Sequence, residues 1–265
     1  MTALICFIFY SDYKFFSDKA FERTYTTTAA VSSVTPMSAS PSEKPTSLSF
    51  ISQCDINYKW CQSVHHSSDN RHIYIGCYNG FRIYDKQTKK VVKYAADLEN
   101  TNIVEFDGQI FLSSTDFEKN VDTFYNYNLI SKRQVLLFSF PNRREFYTRI
   151  AVSPVYIAAL DNDNEAIKLY NRRSQAVSTV KAPGLETLLW LSFSPDGRSL
   201  LVTGRDGKGI QKLNSYQLSA SSELNLIWSC DDCPGIHGIM YDDCGLLYAN
   251  GLKNKRIYIL DISFF

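Results

Sequence analysis

The chain reads as an all-β protein, a β-propeller of four-stranded blades, on three observations. From about Leu48 onward, runs of five to eight residues rich in Val, Ile, Tyr, Phe and Leu alternate with clusters of Gly, Asn, Asp and Pro, the texture of short strands joined by turns. Nowhere is a helical spacing of apolar residues sustained over about ten positions, so no long helix competes with that reading. Five segments align with one another, starting near residues 63, 102, 149, 191 and 237, in steps of about 39, 47, 42 and 46 residues that suit one four-stranded blade per copy.

Taken in order, residues 1–46 form an N-terminal segment and a linker rich in Ser, Thr and Pro, and residues 47–265 form the propeller. The linker has no sustained apolar period and cannot bury enough surface to offset its ordering entropy. The apolar run "LICFIFY" (4–10) has no preceding Lys or Arg and falls short of the roughly 20 residues that span a bilayer, so neither a signal peptide nor a membrane helix is expected. Each copy then supplies an inner strand, a tight turn, a second strand, a longer polar loop and a third strand, with Ser194-Pro195-Asp196-Gly197 the clearest of the tight turns. Four copies add a fourth strand: "VVKYAA", "QVLLFSF", "AVSTVKA" and "LNLIWSC". The fifth copy lacks one, and "LSFISQC" (48–54) is expected to complete it, closing the ring with an N-terminal strand and leaving no open edge between first and last blades. Five blades are visible, and a sixth is allowed in residues 1–47.

Composition names no partner. A net charge of +1 over 265 residues gives no bulk attraction to nucleic acid or anionic lipid. Seven cysteines are an odd number scattered through a long chain, which favours loop and core thiols in a reducing, cytoplasmic setting. Cys230 and Cys233, with Cys244 and His237, are four zinc-ligand types close together. His237 and Cys244 bracket one strand, however, which places them about 20 Å apart. Asp161, Asp163 and Glu165 open like a calcium loop, but Ala166 and Arg172 stand where an EF-hand needs Gly and Glu. His65 and His66 are adjacent and point to opposite faces of a strand. No cofactor, metal or small-molecule substrate is therefore expected.

The stretch "PGIHGIMYDDCGLLYANGLKNKRIYILD" (234–261) resembles an NHL repeat, with Pro234, Ile239, Asp242, Gly245, Leu247-Tyr248-Ala249, Asn250, Asn254 and Arg256-Ile257 at the patterned positions. The chain is similar to the C-terminal propeller of tripartite-motif NHL proteins, in which a Ser/Thr-rich linker precedes the ring. In that family a RING and B-boxes supply ubiquitin-ligase activity and the propeller recognises protein or RNA. The chain has no RING or B-box type of cysteine and histidine array, so the resemblance implies a recognition module and not the ligase chemistry.

The expected function is a non-catalytic scaffold that binds another protein, as the substrate-recognition part of a ligase-like assembly. RNA binding is the first alternative, and a metal-dependent lactonase-like hydrolase the second. Loops joining second to third strands, and fourth strands to the next blade, share one face; the remaining turns share the other. On the first face Arg143, Arg144, Phe146 and Tyr147 are the candidate anchors, since Arg and aromatic side chains dominate interface energetics. On the opposite rim Lys86, Lys89, Lys90, Lys132, Arg133, Arg172 and Arg173 fall in third-to-fourth strand turns of three consecutive blades, an arc suited to an acidic partner, RNA included.

Overall fold

The structure is a computed structural model that describes residues 61–69, 71–99, 101–143, 148–219, 223–230, 236–241, 247–251 and 256–260. The first sheet is β1 (Cys61–His66), β2 (His72–Cys77), β3 (Asn79–Asp85) and β4 (Lys90–Glu99). The second is β5 (Thr101–Phe106), β6 (Gln109–Asp116), β7 (Val121–Asn128) and β8 (Arg133–Pro141). The third is β9 (Ile150–Val152), β10 (Tyr156–Asp161), β11 (Ala166–Asn171) and β12 (Val177–Val180). The fourth is β13 (Thr187–Phe193), β14 (Ser199–Arg205), β15 (Gln211–Leu218) and β16 (Leu224–Cys230), and the fifth is β17 (Ile236–Tyr241), β18 (Leu247–Gly251) and β19 (Arg256–Leu260). Within every sheet the strands follow chain order and pair antiparallel. The expected blades are thus four four-stranded sheets and a three-stranded fifth. The strand expected from residues 48–54 lies outside the described residues.

Hairpin chemistry accounts for the strand order. Asp107 and Gly108 both have positive φ, 52° and 70°, the backbone twist a two-residue hairpin demands, and they bring Phe106 opposite Gln109. The first-to-second turns of sheets one and four share a serine device: Ser67 Oγ accepts from the His72 N–H at 2.8 Å, and Ser194 Oγ from the Ser199 N–H at 3.0 Å. The third-to-fourth turns share another. Asp85 accepts from the N–H groups of Gln87 and Thr88, Asn128 from those of Ile130 and Ser131, and Asn171 from those of Arg173 and Ser174. In each turn the fourth residue after that acceptor, Lys89, Lys132 or Gln175, has a φ of 55° to 60°, so three blades are closed by one Asx-turn geometry.

The core is layered between sheets, because the second and third sheets are buried on both faces. Along β6, Ile110 and Leu112 join Tyr74, Phe81, Ile83 and Leu98 of the first sheet, whereas Phe111, on the other face, joins Ile157, Ala159 and Tyr170 of the third. Along β10, Ala158 and Leu160 turn instead toward Leu188, Leu191, Leu200 and Val202 of the fourth. This is period-2 alternation with both phases apolar, the pattern of a strand sandwiched between neighbours. First strands of successive sheets lie against one another, β1 on β5, β5 on β9, β9 on β13 and β13 on β17. The second-to-third interface is aromatic: Phe124 stacks on Phe138 at 4.3 Å between ring centroids and Phe138 on Tyr170 at 5.2 Å.

Cys77 is a buried thiol in no disulfide, and its Sγ meets the Ile75 carbonyl oxygen. Cys230 is disulfide-bonded, which corrects at that position the expectation of loop and core thiols. Because Phe124 is 1% exposed and touches both Phe138 and Phe140, Phe124→Ala is expected to lower stability by about 3–5 kcal/mol in urea unfolding.

Candidate functional site

Residues 142–149 connect β8 to β9, and at their start the Arg143 amide meets Asp163 of the β10–β11 loop. Of the four expected anchors, Arg143 is exposed; Arg144, Phe146 and Tyr147 lie outside the described residues. What the structure does define is the stem on either side of them. Asn142 and Thr148 both end on one carboxylate, Asp122 of β7, which is 1% exposed. The Asn142 amide donates to both Asp122 oxygens at 3.0 Å, the Thr148 hydroxyl donates to Oδ2, and the Thr115 hydroxyl of β6 donates to Oδ1 at 2.6 Å.

Further bonds fix the same stem. The Asn142 N–H donates to the Asn120 carbonyl at 2.8 Å, and the Arg143 N–H donates to the Asp163 carboxylate, in the β10–β11 loop of the third sheet, at 2.7 Å. The Thr148 carbonyl accepts from the Asn102 amide at 2.8 Å and the Ser113 hydroxyl at 3.2 Å. Arg149 then donates to Asn102 Oδ1 at 2.8 Å while its guanidinium stacks over Trp190 at 4.3 Å from the ring centroid, a cation–π contact. Asn102 lies in the second sheet, Trp190 in the fourth, and Arg149 directly before the first strand of the third, so these residues link three blades. Asn102 and Arg149 stand at inner-strand starts that the repeat alignment marks. Asp122 and Trp190 carry no such mark.

Burial pushes the Asp122 carboxyl up to about 6, with the neighbouring Asp163 adding to the rise, against the hydrogen bonds from Asn142, Thr115 and Thr148, which favour the charged form. Its acceptor positions are filled by the protein donors Thr115, Asn142 and Thr148. Among the described residues there is no group of three or more His, Cys, Asp or Glu side chains that could hold a metal ion. His65 bonds the Glu105 carbonyl at 2.8 Å and His66 meets Lys86 at 3.2 Å, two separate partners as strand alternation requires. Asp161 is not simply a solvated loop residue: it is 1% exposed and pairs with Lys168 at 3.1 Å.

The structure divides the opposite rim. Lys89, Lys90, Lys132, Arg133 and Arg173 are exposed. Lys86 is half-buried against His66. Arg172 departs from the expected rim role, because it ties the third sheet to the second: it donates to the Ser153 carbonyl at 2.8 Å and to Gln109 Oε1 at 3.2 Å. Its guanidinium also lies over Phe106 and Phe111, at 5.3 and 5.1 Å from the ring centroids. That burial lowers its pKa and withdraws it from the charged arc.

No family model matches the chain, and no curated protein matches it. Solved structures of β-propeller-containing proteins do match its fold. It is similar to hydrazine synthase of Kuenenia stuttgartiensis, at 14% identity and a TM-score of 0.52, over 70% of this chain and 54% of that one. It is also similar to TolB of Acinetobacter baumannii, at 13% identity and a TM-score of 0.53, over 76% of this chain and 54% of that one. The chain spans about half the length of each, and at these identities the likeness is one of fold alone.

In the unfolded chain Asp122 ionises near 3.8, whereas in the fold it holds its proton to about 6. Its contribution to stability is therefore complete below about pH 4 and is lost as pH rises through 6, by about 3 kcal/mol at 1.36 kcal/mol per pKa unit. Urea unfolding between pH 4 and 7 is expected to show that fall in the native protein and its absence in Asp122→Asn.

Proposed function

We propose that the chain is a non-catalytic interaction platform whose segment 143–147 recognises another protein. The observation that carries this reading is the double tie of that segment's stem to Asp122, by Asn142 on one side and Thr148 on the other. Tying both ends of a linker to one buried carboxylate lowers the ordering entropy that its residues lose on binding. Arg143, Arg144, Phe146 and Tyr147 have the chemistry of interface anchors, and the described residues on either side of them are bonded to the second and third sheets. The resemblance of residues 234–261 to an NHL repeat supports recognition as the propeller's role and, at a finer level, the substrate-recognition part of a cytoplasmic, ligase-like assembly.

RNA is the second reading, supported by the exposed cations Lys89, Lys90, Lys132, Arg133 and Arg173 on the opposite rim. The two readings use different faces and separate cleanly. Affinity capture from cell extract with the native protein and with an Arg143→Ala, Arg144→Ala, Phe146→Ala, Tyr147→Ala variant is expected to lose its specific protein partners only in the variant, with circular dichroism unchanged. The same proteins retained by both would remove the segment as the recognition element. Filter binding of RNA lost on changing Lys89, Lys90 and Arg173 to Glu would move the function to the rim.

A further inference from the structure

The outer edge of the second sheet carries a surface independent of the 143–147 segment. Among the described residues β8 ends its sheet and pairs only with β7, so one side of its backbone meets no other described strand of the sheet. An edge of that kind invites an added strand unless charge, proline or a covering element blunts it. Over Arg133 to Leu136 the strand is exposed at every residue. Val135 is 62% exposed, Leu136 58%, and Ile130, in the turn that leads into the strand, 95%.

The two apolar residues of the strand are on opposite faces. Leu136 sits opposite Tyr125 and Val135 opposite Asn126, and Tyr125 packs on the cluster shared with the first sheet. Leu136 is thus on the side toward the first sheet and Val135 on the side toward the third, each beyond the reach of the neighbouring blade. Just past Leu136 a bulge shifts the register between Phe124 and Tyr125, after which Phe138 and Phe140 are buried. The edge therefore exposes apolar surface on both faces in its first half and returns to core in its second.

Charge selects the occupant. From Leu129 to Pro141 the sequence holds Lys132 and Arg133 and no Asp or Glu, both cations are exposed, and among the described residues neither side chain has an ion-pair partner. The comparable pair on the outer edge of the fourth sheet, Leu226 and Ile227, 46% and 48% exposed, follows an exposed Glu223 instead. We infer that β8 is a docking edge for an extended segment of a partner protein, which adds to the second sheet as a further strand, covers Val135 and Leu136 with apolar side chains, and sets carboxylates against Lys132 and Arg133. Main-chain hydrogen bonds supply the affinity in this mode, and the apolar contacts and charges supply the choice of sequence.

The test uses the full chain and two fluorescein-labelled peptides, each joining a run of alternating valine and isoleucine to a run of glutamates. The glutamates stand at the carboxyl end in one and at the amino end in the other, so that both strand directions are sampled. Fluorescence polarisation is expected to show binding of one peptide, weakened about tenfold or more by Lys132→Glu with Arg133→Glu, by Leu136→Lys, and by exchanging the glutamates for lysines. Leu226→Lys, on the other exposed edge, is expected to leave it unchanged. Hydrogen exchange should show new protection in residues 133–140 alone. All substituted positions are exposed, and circular dichroism checks that the variants fold. Failure of both peptides to bind, or equal binding by the Lys132→Glu, Arg133→Glu variant, overturns the inference. So does sedimentation showing self-association that Leu136→Lys abolishes, or retention of an RNA oligonucleotide at this edge in place of the peptide. Loss of binding at 143–147 leaves it untouched, because the two surfaces are separate.

Discussion

Burial of the second and third sheets on both of their faces is the constraint from which the rest of the structure follows. A β6 strand with Ile110 and Leu112 on one side and Phe111 on the other cannot be satisfied by a single neighbouring layer. It needs a sheet before it and a sheet after it, and the same is true of β10, with Ile157 and Ala159 facing one way and Ala158 and Leu160 the other. Chain order then becomes spatial order, because each hairpin sheet is packed against the one just made and the one to come. Small residues set the approach: a Cβ on Gly76 would lie 2.1 Å from the Thr101 carbonyl oxygen of the next sheet, so the first two blades pack closely there only because that side chain is missing.

Polar groups finish what apolar packing begins, and they do so between blades. Glu105, 5% exposed, accepts from the Ser68 N–H at 2.6 Å and its hydroxyl at 3.0 Å, joining the second sheet to the first. Arg172 joins the third to the second, and Arg149 bridges the second and fourth. A buried carboxylate or guanidinium is costly unless its hydrogen bonds are met, and here the partners that meet them belong to adjacent sheets. The ties therefore hold only when the blades are in register.

The fold was legible in the sequence because its signals are local. Alternation within a strand, the Ser194–Gly197 turn and the recurrence of strand groups all act over a few residues, and each blade's elements begin close to where the alignment puts them. The turn geometry of the opposite rim was legible too, although the informative residues are not the cations: Asp85, Asn128 and Asn171 recur about 43 residues apart and set the backbone on which Lys89 and Lys132 ride. The site was less legible, since its contacts are distant along the chain. Asp122 meets partners 7, 20 and 26 residues away, and Arg172 meets Gln109 across 63. Composition marks Arg172 as one more rim charge; only the packing of two blades reveals it as a clamp.

Asn142, Arg143, Thr148 and Arg149 are tied to three blades at once: Asn142 and Thr148 by Asp122 of the second, the Arg143 amide by Asp163 of the third, and the Arg149 guanidinium against Trp190 of the fourth. Phe124, Phe138 and Tyr170 pack between the same two sheets that the Arg143–Asp163 bond ties together at their rim. A substitution deep in that aromatic layer therefore loads the polar ties as well, so core packing and rim bonding are one mechanical system.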